Sequence, residues 1–331
     1  MQAKHKVIFD TDPGVDDAMA LYFAMAHPEI DVIAVTTTFG NVTVQQATTN
    51  ALYLTRIAGS DIPVAQGAAV PMNKTPGQPP AFIHGADGLG NLPSRVDAGG
   101  QAQELSAAEY IVKMARAYPG EITLVAVAPL GNLGLALRLE PNLPKLLKKV
   151  VLMGGTVLEP GNVSPVAEAN IWNDPDSADL VFTAGWDLAI VGLDVTHRVW
   201  MTSAYFKDLA AKKKHLALDT LSHAVNFYCD FYSSIRPELG HACFCHDVLA
   251  FVYLVKPELF KTKTGRVRVA TEGIGNGQTM MDRHGGIPYP QAGWEATRPQ
   301  TVVCMEVDTA ATLKLIDDTL SGDWLKPSLT A

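Results

Sequence analysis

Two hydrophobic patterns alternate along the first two thirds of the chain. Short runs rich in β-branched residues are separated by segments in which apolar residues recur every three or four positions, as in helices. Several runs are continuously apolar, which is typical of parallel strands covered on both faces. The pattern therefore predicts an α/β fold with an open, mostly parallel central sheet flanked by helices. The predicted strands are 6–10, 31–39, 121–127, 149–153 and 187–193, and the clearest predicted helices are 16–27, 105–117, 130–139 and 176–184.

The remaining segments complete one sheet rather than begin a second core. After residue 202 the pattern is mostly helical to 255, then Gly-rich and hairpin-like over 266–298, with a last strand at 301–307 and a closing helix. Thr43, with Gln46 three residues later, predicts a capping box at a helix start. The Gly/Pro-rich stretch 67–100 is interpreted as a functional surface loop, because residues 83–88 (IHGADG) place a histidine, an aspartate and two glycines close together within it. We predict a single domain over residues 1–331.

Composition narrows the class of protein. The 331 residues include 26 Lys and Arg against 34 Asp and Glu, a net charge of −8, which argues against nucleic-acid binding. No run of 18 apolar residues is present, so no membrane span is expected. The opening residues lack the apolar core of a secretory signal, and four unevenly spaced cysteines do not make a disulfide framework. We therefore expect a cytoplasmic protein.

Four carboxylates follow the first predicted strand within eight residues: Asp10, Asp12, Asp16 and Asp17. Helix capping explains one or two acids in a first turn, but not four. Two carboxylates about 4 Å apart repel by roughly 4 kcal/mol at an effective dielectric constant near 20. Hard oxygen donors suggest Ca²⁺ or Mg²⁺. An EF-hand is excluded, because counting from Asp10 its sixth and twelfth positions hold Val15 and Leu21 rather than Gly and Glu.

Polar residues also follow the later strands. In an open α/β sheet, ligands bind beyond the carboxyl ends of the strands, so the active site is expected at that edge. Amides and carboxylates collected there suit a ligand with many hydroxyl groups, such as a sugar. The residues that follow the strands or open the later apolar helix are Asn41, Asn162, Glu168, Asn170, Asp194, Thr196, His197, His246 and Asp247.

An ordered set of motifs resembles the inosine-uridine-preferring nucleoside hydrolases. The motifs are VIFDTDPGVDDAMAL, TTTFGN, HGADGLG, VVLMGG, EANIWNDPDSA, VGLDVTH and HDVLA, and the resemblance runs from about residue 6 to the last strand. It implies hydrolysis of the N-glycosidic bond of ribonucleosides to ribose and free base, with one bound Ca²⁺ and a purine or pyrimidine salvage role. Family members are commonly homodimers or homotetramers, so a homo-oligomer is expected.

The resemblance also implies roles for individual residues. Asp12 corresponds to the base that deprotonates a Ca²⁺-bound water, and His246 to the acid that protonates the leaving base. The implied calcium ligands are Asp12, Asp17, Asp247 and the main-chain carbonyl of Val127, where the family often has Thr. The implied substrate contacts are Asp16 and Asn170 with the ribose 2′- and 3′-hydroxyls, Asn41 near metal and sugar, Asn162 and Glu168 with the 5′-hydroxyl, and His84, Tyr228, Tyr232 and Arg236 around the base. Ala169 replaces a frequent Phe beside the sugar.

The implied chemistry agrees with elementary physics. Departure of the base develops positive charge on the ribose, which nearby carboxylates stabilise more in the transition state than in the ground state. A divalent ion acidifies and orients water and anchors vicinal hydroxyls. A histidine with a pKa near 6.5 can protonate a leaving base at neutral pH.

Three other interpretations remain open from the sequence. The Asp-x-Asp opening is similar to that of Mg²⁺-dependent haloacid-dehalogenase-type phosphohydrolases, with Asp10 as nucleophile, although Gly14 departs from their pattern. The same ligands would also serve a Ca²⁺-dependent nucleoside- or sugar-binding protein without turnover. Cys243-x-Cys245-His246 could belong to a zinc site, but it lacks a second ligand pair.

Overall fold

The computed structural model describes residues 4–285 and 288–326. The strands, in chain order, are β1 (His5–Thr11), β2 (Ile30–Thr37), β3 (Val64–Gln66), β4 (Ile122–Ala126), β5 (Lys149–Met153), β6 (Leu188–Val191), β7 (Trp200–Thr202), β8 (Ala242–Phe244), β9 (Phe260–Gly265), β10 (Val267–Val269), β11 (Thr279–Met281) and β12 (Thr301–Val307). The helices are α1 (Val15–Ala26), α2 (Val44–Ile57), α3 (Ala81–His84), α4 (Ala107–Ala117), α5 (Gly131–Leu139), α6 (Leu143–Leu146), α7 (Ala169–Asn173), α8 (Pro175–Phe182), α9 (Leu193–Thr196), α10 (Ser203–Lys213), α11 (Leu216–Ile235), α12 (Val248–Val255) and α13 (Thr309–Leu320), with 3₁₀ turns at Pro237–Leu239 and Pro257–Leu259.

An eight-stranded sheet forms the centre of the fold, in the order β3-β2-β1-β4-β5-β6-β12-β9. Every neighbouring pair is parallel except β12 with β9, which is antiparallel. The predicted open, mostly parallel α/β sheet is confirmed. The strand order reverses between β1 and β4, and a crevice opens at such a point beyond the carboxyl ends of the strands. The acidic run after β1 therefore lies where the topology favours a ligand.

Two apolar layers cover the sheet, one on each face. Helix α1 is buried along residues 15–24 and packs against α11, α12 and α13, which explains why it is apolar nearly all round. Both faces of the central strands are covered, so their sequences do not alternate. None of the helices among the described residues combines the length and apolar content needed to cross a bilayer.

Several local expectations change in detail. The predicted strand 187–193 ends at Val191, and the chain turns at Gly192 into the short helix α9. The capping box is half formed: Thr43 accepts the Gln46 N–H, but the Gln46 side chain donates to Asn50. Strands β3, β7, β8 and β9 were not predicted, and β8 lies within the segment that was expected to be mostly helical. The Gly-rich segment does contain an antiparallel pair, β10 with β11. A single domain over the whole chain stays a prediction.

Candidate active site

The acidic residues after β1 come together with one from the other end of the chain. Asp16 and Asp17 begin α1, and Asp247 precedes α12. One carboxylate oxygen from each of these three residues lies within 4.8 Å of the other two, and all three side chains are buried. We call these residues the acidic triad. Asp16 Oδ1 is buried, and no hydrogen-bond partner for it is found among residues 4–285 and 288–326.

Asp12 lies beside the acidic triad. Its Oδ2 accepts the Asn41 backbone N–H at 2.7 Å, and the Asn41 side-chain amide donates to Asp17 Oδ2 at 2.9 Å. Asp17 also accepts the hydroxyl of Thr11 and the backbone N–H of Gly14. A Cβ on Gly40, where φ is +154°, would lie only 1.9 Å from Asp12 Oδ2, so this approach requires glycine.

Burial makes the negative charges at these carboxylates costly. Burial and the charge of Asp17 raise the pKa of Asp16 to about 8 and the pKa of Asp12 well above its usual range. Burial, followed by the charges of Asp16 and Asp17, likewise raises the pKa of Asp247. Close, buried like charges either take up protons or bind a cation. Carboxylate oxygens with one unpartnered atom fit a hard divalent ion.

A hydrogen-bonded line of side chains leads away from the acidic triad. The Tyr228 hydroxyl donates to Asp16 Oδ2 at 3.3 Å and lies 3.4 Å from the Tyr232 hydroxyl. The Tyr232 hydroxyl lies 3.0 Å from His246 Nε2, and Thr196 Oγ1 lies 2.8 Å from His246 Nδ1. The i, i+4 spacing on α11 puts the two tyrosines on one face of the helix. The two tyrosines therefore connect the Asp16 carboxylate to the His246 imidazole, and Thr196 lies on the far side of that ring.

Two buried histidines, His84 and His246, lie beside these tyrosines. Burial lowers the pKa of His84 to about 3 and the pKa of His246 well below 6.5. His84 Nδ1 accepts the Val15 backbone N–H at 3.2 Å, so its ring proton resides on Nε2. The His84 ring stacks on Tyr228, with 5.1 Å between centroids. Burial therefore favours the neutral form of both imidazoles.

Amide and carboxylate groups after β5 close another side. Glu168 is buried at the start of α7 and accepts N–H groups from Gly155, Asn170 and Ile171. Burial raises its pKa. The Asn170 side chain donates to the Val127 carbonyl at 2.9 Å, beyond the end of β4. Asn162 is exposed, and its Oδ1 accepts the Ala169 N–H.

Arg236 follows the last residue of α11, pairs with Glu238 and has a side chain that is 41% exposed. It lies over the Phe244 ring, which packs against Tyr232 and His246. Neither Asn50 nor the pairing of Thr196 with His246 was predicted from the sequence. For Asn50 a signal was available, because it is a polar residue on the buried face of α2.

Asp10 has the wrong surroundings for a phosphohydrolase nucleophile. Its side chain is 0% exposed, and its Oδ1 accepts the Thr36 hydroxyl at 2.5 Å and the Asn132 amide at 2.7 Å. The phosphohydrolase interpretation is therefore not favoured. The zinc interpretation also lacks support, because both ring nitrogens of His246 are engaged by Thr196 and Tyr232.

Solved structures of nucleoside hydrolases share this fold. Two solved structures match with a TM-score of 0.88. One is a plant nucleoside hydrolase, 36% identical, covering 96% of this chain and 99% of that one. The other is a purine-preferring ribonucleoside hydrolase from Gardnerella vaginalis, 32% identical, covering 96% of this chain and 98% of that one.

Sequence comparison identifies the family. Uridine nucleosidase 1 of Arabidopsis thaliana is 42% identical over 287 residues, which are 85% of this chain and 83% of the relative. The profile of the inosine-uridine preferring nucleoside hydrolase family matches residues 7–314. The chain belongs to this family, as its motifs predicted.

Proposed function

We propose that this protein hydrolyses the N-glycosidic bond of ribonucleosides to ribose and free base, at the site beyond β1. The observation that carries the proposal is the connection of two chemically different groups. The acidic triad, which includes two of the proposed cation ligands, is joined through Tyr228 and Tyr232 to His246. A cation site near sugar-binding carboxylates and a separate imidazole are what removal of a base from a sugar requires.

The cation is proposed to be Ca²⁺, held by Asp12, Asp17, Asp247 and the carbonyl oxygen of Val127. The donor set supports this, because hard oxygen ligands suit calcium. When bound, calcium would supply a Lewis acid that acidifies and orients a water and anchors the two vicinal ribose hydroxyls. Asp16, the third member of the acidic triad, and Asn170 would hold those hydroxyls. A site that binds the 2′-hydroxyl disfavours 2′-deoxyribonucleosides, because they lack that group and leave its partners unpaired.

Asp12 is proposed as the general base. Its raised pKa reflects burial beside Asp17, and a neighbouring cation would offset that repulsion and return Asp12 to the carboxylate form. The Asn41 N–H fixes one carboxylate oxygen and leaves Oδ1 with only a long contact of 3.4 Å to the Asn41 amide. Oδ1 is therefore the oxygen better placed to accept a proton from water.

His246 is proposed as the acid for the leaving base. If the Thr196 hydroxyl donates to Nδ1, the ring proton resides on Nε2, next to the Tyr232 hydroxyl. Negative charge that develops on the departing base would favour uptake of a second proton from solvent by His246. The imidazolium would then give its Nε2 proton to a nitrogen of the base and return to neutral imidazole, with Thr196 Oγ1 beside Nδ1. His84 and Tyr228 would line the base, whereas Asn41 would contact the sugar, and Asn162 and Glu168 would bind the 5′-hydroxyl. Arg236 would act only from the rim of the site.

Base preference and biological setting are proposed more broadly. The names of the similar proteins point to both uridine and purine nucleosides, and we propose that this chain accepts both classes. We also propose a cytoplasmic homodimer or homotetramer that serves nucleoside salvage. These proposals rest on the family resemblance and on the composition of the chain.

The direct test is release of ribose. The purified protein, loaded with calcium, is incubated with inosine, uridine and their 2′-deoxy analogues, and the reducing sugar and free base are measured. We expect ribose from both ribonucleosides and much less sugar from the deoxy analogues. Tight binding of the ribonucleosides with no product at high enzyme concentration would instead indicate a binding protein and would refute the proposal.

A further inference from the structure

Two loops carry the chemistry of the base end of the site, and one buried side chain joins them. The acidic loop, residues 12–15, follows β1. The His84 loop, residues 84–92, follows the short helix α3. Asn50, on α2, is fully buried between them.

The Asn50 amide uses all of its hydrogen-bonding capacity. Its Nδ2 donates to the Pro13 carbonyl at 2.8 Å and to the Asp87 carbonyl at 2.9 Å. Its Oδ1 accepts from Arg95 at 2.7 Å and from Gln46 at 2.9 Å. One NH₂ group therefore binds a main-chain oxygen from each loop, and this sets the separation of the two loops. A fully satisfied buried amide is stiff, because any rotation breaks several bonds.

An ion pair between Arg95 and Asp87 supports the Asn50 side chain. Arg95 donates to the Asp87 carbonyl and to Asp87 Oδ2 at 3.0 Å, besides its bond to Asn50. The Asp87 carboxylate accepts the backbone N–H groups of Leu89, Asn91 and Leu92. Asp87 thereby folds its own loop into a closed turn, and Arg95 holds that turn against Asn50.

The two loops touch at His84. A Cβ on Gly14 would lie 2.6 Å from His84 Nδ1, so the ring lies directly against the acidic loop. The same Nδ1 accepts the Val15 N–H, which fixes the ring orientation and leaves the proton on Nε2. A Cβ on Gly88 would lie 2.8 Å from Asn50 Nδ2 and 3.0 Å from the Pro13 carbonyl, so this second contact is equally close. Any change in loop separation therefore displaces His84.

We propose that Asn50 is a positioning residue, which holds His84 against the acidic loop and so presents its Nε2–H to the leaving base. The inference rests on the proposed function for its kinetic consequence, but the ring geometry of His84 can be observed without substrate. Asn50 is fully buried, and on this proposal it acts only through the two carbonyl groups that it binds.

The experiment uses Asn50→Asp in the full-length, calcium-loaded protein. The new carboxylate keeps the size of the side chain and can still accept from Arg95 and Gln46, but it puts oxygen against the Pro13 and Asp87 carbonyls. Gln46→Ala is the matched control, since it removes one bond to Asn50 Oδ1 and leaves both carbonyl bonds in place. We expect kcat/KM for inosine to fall about 100-fold in Asn50→Asp, the scale of a misplacement of about 1 Å, and to change less than about threefold in Gln46→Ala.

A double-mutant cycle with His84→Ala separates positioning from general damage. If Asn50 acts through His84, Asn50→Asp costs less than about threefold in the His84→Ala background. Losses that multiply fully, or an unchanged kcat/KM in a folded Asn50→Asp protein, would overturn the proposal. Should Asn50→Asp not fold, Asn50→Ser, which keeps a single donor, takes its place in the same cycle.

A spectroscopic measurement keeps the inference separate from the proposed function. Nitrogen-15 NMR of the histidine rings, with His84 assigned by its absence in His84→Ala, reports which ring nitrogen carries the proton. We expect an Nε2–H signal for His84 in the wild type and in Gln46→Ala, and a shifted or exchange-broadened signal in Asn50→Asp. An unchanged His84 signal in Asn50→Asp refutes the inference, whereas a wild-type protein that releases no ribose refutes only the proposed function.

Discussion

The acidic end and the aromatic end of the site are buried to the same degree but respond in opposite ways. At the acidic end, burial raises the pKa of Asp12, Asp16 and Asp247. At the aromatic end, burial lowers the pKa of His84 and His246. Desolvation disfavours charge of either sign, so one end accumulates protonated or cation-neutralised acids and the other end neutral imidazoles.

This difference assigns separate tasks to the two ends. Burial and mutual repulsion at the acidic end favour a bound cation, and this end is suited to the water and the ribose. The aromatic end offers neutral donors and flat rings, which suit an uncharged base. The line from Asp16 through Tyr228 and Tyr232 to His246 is the connection between them. Substitutions on either side should therefore be separable by the choice of substrate.

The largest effect is expected at the acidic end. Asp12→Asn keeps the size of the side chain but removes the proposed base, so kcat should fall by on the order of 10³ or more. Because base catalysis is needed whatever leaves, the loss should be similar for inosine and for p-nitrophenyl riboside. Steady-state rates on both substrates provide the measurement. Near-normal turnover in a folded, calcium-binding Asp12→Asn protein would remove the assignment.

The next effect is expected at the aromatic end. His246→Gln should lower kcat for inosine by on the order of 10² to 10³, but should lower it less than about tenfold for p-nitrophenyl riboside, whose leaving group needs no proton. His197→Gln is the control, because His197 packs against the His246 ring at 5.7 Å but makes no hydrogen bond to Tyr232. Equal losses on both substrates would argue against protonation of the leaving base.

Removing the cation should reveal the pH dependence of the acidic end. The pKa of Asp16 is about 8 in the fold, above its ordinary value near 3.8, so the cation-free native state binds more protons than the unfolded state between these pH values. Its stability should therefore fall as pH rises from 5 to 8. Calcium should offset this loss, because a ligand at 100 times its Kd adds about 2.7 kcal/mol to the free energy of unfolding.

The measurement for this prediction is thermal unfolding after chelation, with and without added calcium, at pH 5.5 and pH 8. The rise in Tm on adding calcium should be larger at pH 8, because fewer protons compete for the carboxylates. A larger rise at pH 5.5 would contradict the buried-acid account.

The smallest effect is expected along the connection. Tyr232→Phe removes the hydroxyl between Tyr228 and His246 while keeping the ring, which costs about 1 kcal/mol, or roughly fivefold in kcat/KM for inosine. The pH–rate profiles of the two proteins should also differ, because the imidazole loses its neighbour. Identical profiles would show that the tyrosine hydroxyl serves packing alone.

The sequence was informative wherever a residue's own chemistry decided its position. Buried parallel strands require continuous apolar runs, and a dense acid cluster needs an explanation, so the sheet and the first site loop were predictable. Strand β9 was missed because four of its six residues are exposed and polar. Its pairing partner, β12, also lies far away along the sequence. Asn50 was missed as part of the site because its partner Pro13 lies 37 residues away along the chain. Thr196 was placed at this edge, but its pairing with His246, 50 residues away, was not predicted.

The two outer strands of the sheet limit how copies of the protein can associate. At one margin β9 presents Lys261, Thr262, Lys263 and Thr264 to solvent, and at the other β3 is only three residues long. Lysines and shortness at a margin both oppose continuation of a sheet into a neighbouring molecule. A homo-oligomer of this chain should therefore be held together by helices and loops, with each eight-stranded sheet ending inside its own subunit.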